Sequence, residues 1–160
     1  MTGARRSEAA EMTWEELDGS AWTLPGARNK TGIDLVRPLT KHALAVLPER
    51  DAGKFVFSYD GGHTPLGGFT AFRADFCRAS STEGWHIHDL RRTSRTLLSR
   101  AGVNADIAER CLGHVIGGVR GVYDRWEFRD EKAKAYEALA SLVGRIVNPQ
   151  DNVVPLAAAR

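Results

Sequence analysis

The chain has 160 residues, 42% hydrophobic and 26% charged, the balance of an ordinary single globular domain, which excludes disorder throughout. No apolar run approaches the ~18 residues of a membrane span, and Met1-Thr2-Gly3-Ala4-Arg5-Arg6 lacks the apolar core of a secretory signal. Two cysteines, Cys77 and Cys111, make no disulfide framework, and with a net charge of +2 the chain reads as cytosolic.

The chain opens on a short helical stretch, Ser7–Met12, with Ser7 as the expected cap and acids in the first turn. Trp22–Pro25 and Ile33–Leu39 are short apolar or alternating runs flanking the turn-rich Gly26–Gly32, which predicts a small antiparallel sheet with an exposed loop. Thr40 caps a helix through Ala43, Leu44 and Leu47, and Lys54–Phe57 is one more short apolar element. The chain then turns helical. Phe69, Phe72, Phe76 and Cys77 recur at three-and-four spacing, which predicts a helix face buried in the core. Asp89 is the expected cap of a helix stopping at Gly102, Asn104 of one ended by Gly113, and Asp130 of a last long helix carrying Tyr136, Leu139, Leu142, Val143 and Ile146 on one face. The tail has no clear period. The fold class is α+β and mostly helical, with the small sheet near the N-terminus packed on a helical core.

Charge is uneven along this order. Residues 84–125 carry seven cations, all Arg, against four acids, while residues 1–83 and 126–160 carry 10 against 11 and 5 against 5. Arg presents a planar donor fork suited to phosphate, and it is also a plain solubilising cation, so the arithmetic permits a nucleic-acid partner without demanding one. The informative stretch is His86–Thr93, followed by Leu112-Gly113-His114 and then Tyr123. His88 and Arg91 stand three apart at a helix start, so both can face one anion near the N-terminal amides. His114 follows a helix-ending Gly, which puts it on a turn, and Tyr123 lies nine residues on, after a Gly-rich segment.

With Thr2–Glu8, Arg28–Gly32, His88–Arg91, Leu112–His114 and Val122-Tyr123, the sequence resembles the tyrosine recombinases, the phage-integrase family of DNA breaking-and-joining enzymes. That family carries an Arg in a Thr-Gly-x-Arg turn, a Lys on a β-hairpin, His-x-x-Arg, a His after Leu-Gly and a Tyr nine residues later. The resemblance implies catalytic roles for Arg5, Lys30, His88, Arg91, His114 and Tyr123 and spans the chain to about Val147. It implies a catalytic domain over 1–147 and a tail over 148–160, double-stranded DNA as partner, and protomers assembling on DNA, with Val153–Leu156 as the linking segment. In the family the Arg5 turn lies inside the catalytic domain, behind its first helices and a DNA-clamping domain. The chain is thus expected to be N-terminally truncated, as an excised piece or through a late start, and to bind DNA and recombine weakly by itself.

The chemistry stands beside the resemblance. Attack on a phosphodiester loads negative charge onto its non-bridging oxygens, which two guanidinium forks and an imidazole donor can stabilise. A tyrosine, with an ordinary pKa near 10, needs a base or nearby cations to become a nucleophile, and the leaving alkoxide needs an acid. The family implies Tyr123 as nucleophile forming a 3′-phosphotyrosyl link, Lys30 as acid, His88 as base or positioner, and Arg5, Arg91 and His114 around the phosphorus, without ATP or metal.

Each piece has a plainer reading: Arg5 a helix-terminal cation, Lys30 a solvated loop lysine, His88 a structural cap, and Tyr123 an amphipathic core residue like Tyr136 and Tyr59. The histidines and cysteines lack zinc spacing, so no metal or cofactor is expected. Two other functions stay in view: a non-catalytic DNA-binding module built on the two short helices of His88–His114, and relaxation of supercoils as by type IB topoisomerases. Ala105, Asp106, Ile107 and Ala108 are poor base readers, which weakens the first, and the His114–Tyr123 interval favours recombination over the second.

Overall fold

The computed structural model describes residues 1–115 and 127–149. In chain order these form α1 (Arg6–Ala10), a 3₁₀ turn (Trp14–Glu16), β1 (Leu17–Asp18), β2 (Ala21–Leu24), β3 (Leu35–Pro38), α2 (Lys41–Leu44), α3 (Phe69–Ser80), α4 (Ile87–Arg100), α5 (Ala105–Leu112) and α6 (Arg129–Val147). The expected α+β arrangement is present, mostly helical with one small antiparallel sheet near the N-terminus.

The sheet has the order β1-β2-β3 and pairs Trp22 with Arg37 and Leu24 with Leu35. Strand alternation turns Leu35 and Arg37 inward while Val36 and Pro38 stay half-buried. The Arg37 guanidinium sits 4.8 Å from the Trp22 ring centre, a cation–π contact across the two strands. Residues 54–57 pin down the chain after α1: Val56 N–H donates to the Met12 carbonyl (2.9 Å) and Trp14 N–H to that of Lys54 (3.1 Å).

Two cores result. Met12, Trp22, Leu24, Leu35, Leu39, Ala43 and Val56 bury one around the sheet, and Leu98, Ala108, Cys111, Ala135, Tyr136 and Leu139 bury the other between α4, α5 and α6. Polar contacts close the seam between them. The Lys132 ammonium on α6 donates to the Val36 carbonyl on β3 at 2.7 Å, and Arg91 on α4 reaches the Gly3 carbonyl at 2.5 Å. Among the described residues no helix is long and apolar enough to cross a membrane.

Thr40 and Asn104 cap as expected, their side chains accepting from Ala43 N and Asp106 N. Three caps differ. Arg5, not Ser7, precedes α1, because the Glu8 carboxylate folds back onto the Arg5 N–H at 2.9 Å. His86, not Asp89, precedes α4, with Asp89 in the first turn accepting the His86 N–H at 2.8 Å. Phe128, in the left-handed region at φ 51, precedes α6 in place of Asp130, its ring lying under the Arg110 guanidinium at 3.9 Å.

The Phe69/Phe72/Phe76 stripe is not core. Phe72 and Phe76 are 52% and 49% exposed and α3 has no buried residue, while Phe69 lies under the Arg6 guanidinium at 5.1 Å. Phe76 instead meets Trp85 edge-on at 5.6 Å. Tyr136 is a core residue as expected, donating to the Cys111 carbonyl at 2.7 Å, but Tyr59 is 80% exposed on a turn.

Candidate active site

The turn at Gly3 (φ 58) and the first turn of α4 face each other across a cleft of about 330 Å³. Its apolar side is Phe57, Leu66 and Phe69, and its polar side is Arg5, Arg6, His88 and Arg91. His88 and Arg91 are the second and fifth residues of α4, so the helical period turns both toward this space.

Arg91 is the buried centre, 6% exposed. Its Nη1 donates to the Gly3 carbonyl at 2.5 Å, and its Nη2 donates to the Leu112 carbonyl at 2.6 Å and stands 3.0 Å from His114 Nε2. Burial first, and then the charges of Arg5 and Arg37, pull its pKa down to about 10, with Glu8 opposing. It therefore keeps its positive charge at neutral pH.

Arg5 is half-buried at the mouth of α1, with Nη1 2.5 Å from Glu8 Oε1. The other oxygen of Glu8 takes Arg37 Nη2 at 2.7 Å. Burial pushes the Glu8 carboxyl upward, but Arg37 and the hydrogen bonds from Arg5 outweigh it and hold it below the usual carboxylate range. Arg37 is fully buried, and its Nε and Nη1 have no acceptor among the described residues. Two guanidiniums thus grip one carboxylate.

His114 sits on the turn where Gly113 (φ 71) ends α5. That glycine's conformation is left-handed, which favours glycine, and a Cβ there would meet Leu35 Cδ2 at 2.3 Å, so the Leu35 side chain would have to shift to admit it. His114 Nδ1 is 2.5 Å from Glu109 Oε2.

The structure brings together Arg5, His88, Arg91 and, through Arg91, His114. Lys30 stands apart: it is exposed on the β2–β3 loop and does not line the cleft. The base of that loop is tied down, since Arg28 grips Glu16 through Nε (2.9 Å) and Nη2 (2.8 Å), and Asn29 Nδ2 donates to the Ile33 carbonyl at 2.6 Å. Tyr123 lies outside the described residues, as does Val153–Leu156.

Among the described residues the nearby carboxylates, Glu8 and Glu109, are both engaged in ion pairs, and Arg forks with imidazoles have the chemistry to take an anionic oxygen ligand. The family model "Phage integrase family" matches residues 1–125. The chain belongs to the phage integrase family. Prophage integrase IntA of Escherichia coli K12 is 32% identical over 151 residues, a match covering 89% of this chain and 36% of that relative. The chain therefore spans about a third of that relative's length. No solved structure matches it significantly.

Sequence reasoning missed three residues that support this integrase-family site from behind the cleft lining. Glu8 stands three after Arg5, a helical pairing that was legible. Arg37 occupies an inward strand position two after Leu35, a charge where alternation demands an apolar residue. Glu109, five before His114, follows no regular period, and only the left-handed turn at Gly113 brings it back to the ring.

Proposed function

We propose that the chain is the catalytic domain of a site-specific DNA recombinase, residues 1–147 with a tail over 148–160, that cleaves and rejoins duplex DNA through Tyr123. Arg5 and Arg91 bind the non-bridging oxygens of the scissile phosphate with His114, and His88 positions or deprotonates the nucleophile. The Tyr123 oxygen attacks phosphorus and the bond to the 5′-oxygen breaks. That oxygen leaves with a proton from Lys30, whose loop approaches once DNA fills the cleft. The 3′-phosphotyrosyl link keeps the bond energy, and attack by a 5′-hydroxyl reverses the step. Protomers assemble on DNA, with Val153–Leu156 as the segment passed between them, in keeping with a mobile element's integrase.

One observation carries this reading: Arg5 and Arg91 line the cleft with Arg37 buried behind them, and among the described residues Glu8 is the carboxylate that bonds to Arg5 and Arg37 while Arg91 bonds to none, so positive charge exceeds negative where an anion is to bind. The test is a nicked suicide duplex that traps the covalent intermediate. Wild-type protein should give a denaturant-resistant DNA adduct and Tyr123→Phe none. An adduct with both, or with neither, refutes the assignment.

A further inference from the structure

We propose that Glu109 is a positioning residue for His114, fixing which ring nitrogen carries the proton and which edge faces Arg91. The argument begins with Arg91, because a guanidinium has five donors and no acceptor. With Arg91 Nη2 3.0 Å from His114 Nε2, that nitrogen presents its lone pair, so the proton of the neutral ring sits on Nδ1. Nδ1 faces Glu109 Oε2 at 2.5 Å, and an ionised carboxylate can only accept.

Glu109 is held for this task. Its Oε1 accepts from Arg95 Nε at 2.7 Å, and Arg95 Nη1 donates to Ser99 Oγ at 2.5 Å. The hydrogen bonds from Arg95 and then His114 keep the Glu109 carboxyl below its ordinary range, hence ionised at neutral pH. Glu109 also accepts the His114 backbone N–H at 3.0 Å through its own carbonyl, so it grips the histidine at both main chain and ring. Arg91 and Arg95 lie one turn apart on α4, and the path Arg91–His114–Glu109–Arg95 closes back on that helix. The His114 side chain is 44% exposed, and among the described residues these contacts are the ones that hold its ring. The hydrogen bond at one imidazole nitrogen decides the state of the other, as an acid does in hydrolase triads.

The test reads the ring directly, in the DNA-free protein, by nitrogen-15 correlation spectroscopy of labelled histidine, with the His114 signals identified by their loss in His114→Gln. Wild type should show the neutral ring protonated at Nδ1. Glu109→Gln keeps an acceptor and should keep that pattern, whereas Glu109→Leu frees the ring to turn its Nε2 edge off Arg91 and should show the Nε2-protonated form that free imidazole favours. An Nε2-protonated ring in wild type, or an unchanged pattern in Glu109→Leu, overturns the proposal.

Its catalytic consequence rests on the recombinase reading, in which a doubly protonated His114 donates from Nε2 to the phosphate while Glu109 keeps the Nδ1–H, and has its own arm. Glu109→Leu should slow single-turnover adduct formation about 10–100-fold, the range for losing a partner that orients a histidine, with Glu109→Gln recovering most of the rate. Adduct formation at the wild-type rate in Glu109→Leu overturns the consequence. No adduct from wild type, with the spectra as expected, defeats the recombinase reading and leaves the Glu109 assignment standing.

Discussion

Replacing Arg37 by methionine should destabilise the fold at neutral pH and much less in acid. In the native protein Glu8 is 3% exposed and ionised, with Arg37 on one oxygen and Arg5 on both. Because its carboxyl is held below the ordinary value of about 4.3, Glu8 contributes stability that is complete above that pH and is lost as pH falls through the lower folded value. Methionine removes the Arg37 charge but keeps an apolar contact on Trp22, and the Glu8 carboxyl then rises from its native value because burial is opposed by Arg5 alone. Ionised Glu8 therefore contributes less at neutral pH, and the difference between the two proteins fades once Glu8 is protonated.

Removing one partner of a buried ion pair costs about 3–5 kcal/mol. Two features soften the loss. Arg5 still holds both Glu8 oxygens, and the unpartnered Nε and Nη1 of Arg37 disappear with the side chain, recovering about 1–3 kcal/mol. The net is about 2 kcal/mol at pH 7, or roughly 4–8 °C in melting temperature at this chain length. Urea unfolding followed by circular dichroism at neutral and acidic pH measures it, and adding Glu8→Gln should restore most of the loss at pH 7. Equal destabilisation at both pH values would refute the reasoning, since the guanidinium would then act through Trp22 and not through Glu8.

Three further outcomes follow from the same contacts. Gly113→Ala places a side chain at φ 71 and a Cβ 2.3 Å from Leu35 Cδ2, so thermal unfolding should register a loss of at least about 2 kcal/mol, with adduct formation falling as the His114 turn shifts. Burial pushes the Cys111 thiol up to about 11, so at pH 8 a thiol reagent should modify Cys77 in the native chain and both cysteines only after unfolding. Phe72→Ser and Phe76→Ser should each cost under about 1.5 kcal/mol, against about 2–5 kcal/mol for Leu139→Ala, and comparable losses would contradict the exposed placement of α3.

Local signals were the legible ones. The turn residues between two apolar runs predicted the hairpin, and Thr40, Asn104 and Gly113 ended or began helices where their chemistry requires it. Cap positions failed where a carboxylate one turn inside the helix reached back, as Glu8 and Asp89 do, because the capping acid marks the third helical residue and not the first. The aromatic period of α3 correctly gave a helix, but periodicity says nothing of whether another element arrives to cover the face. In the cleft, ordered motifs pointed to Arg5, His88, Arg91 and His114. Glu109 and Arg37 were hidden because their partners lie across a chain reversal or on another element, distances that no local spacing encodes.

Arg28 and Arg91 show why counting arginines says little about where positive charge is felt. Arg28 is gripped through Nε and Nη2 by Glu16, with Glu11 at 3.4 Å from Nη1, so its charge is cancelled where it stands and its work is to brace the loop that carries Lys30. Arg91 is held as firmly, but by the neutral carbonyls of Gly3 and Leu112 and by an imidazole, so its orientation is fixed while its charge is kept. Charge fixed in place before the ligand arrives needs no reorganisation when negative charge builds on a bound oxygen. The same anchors tie the first residues of the chain to the end of α5, 88 and 21 positions away from Arg91. Arg91 therefore ties one wall of the cleft to both the start of the chain and the end of α5, and the contacts that close the seam are the ones that orient its guanidinium.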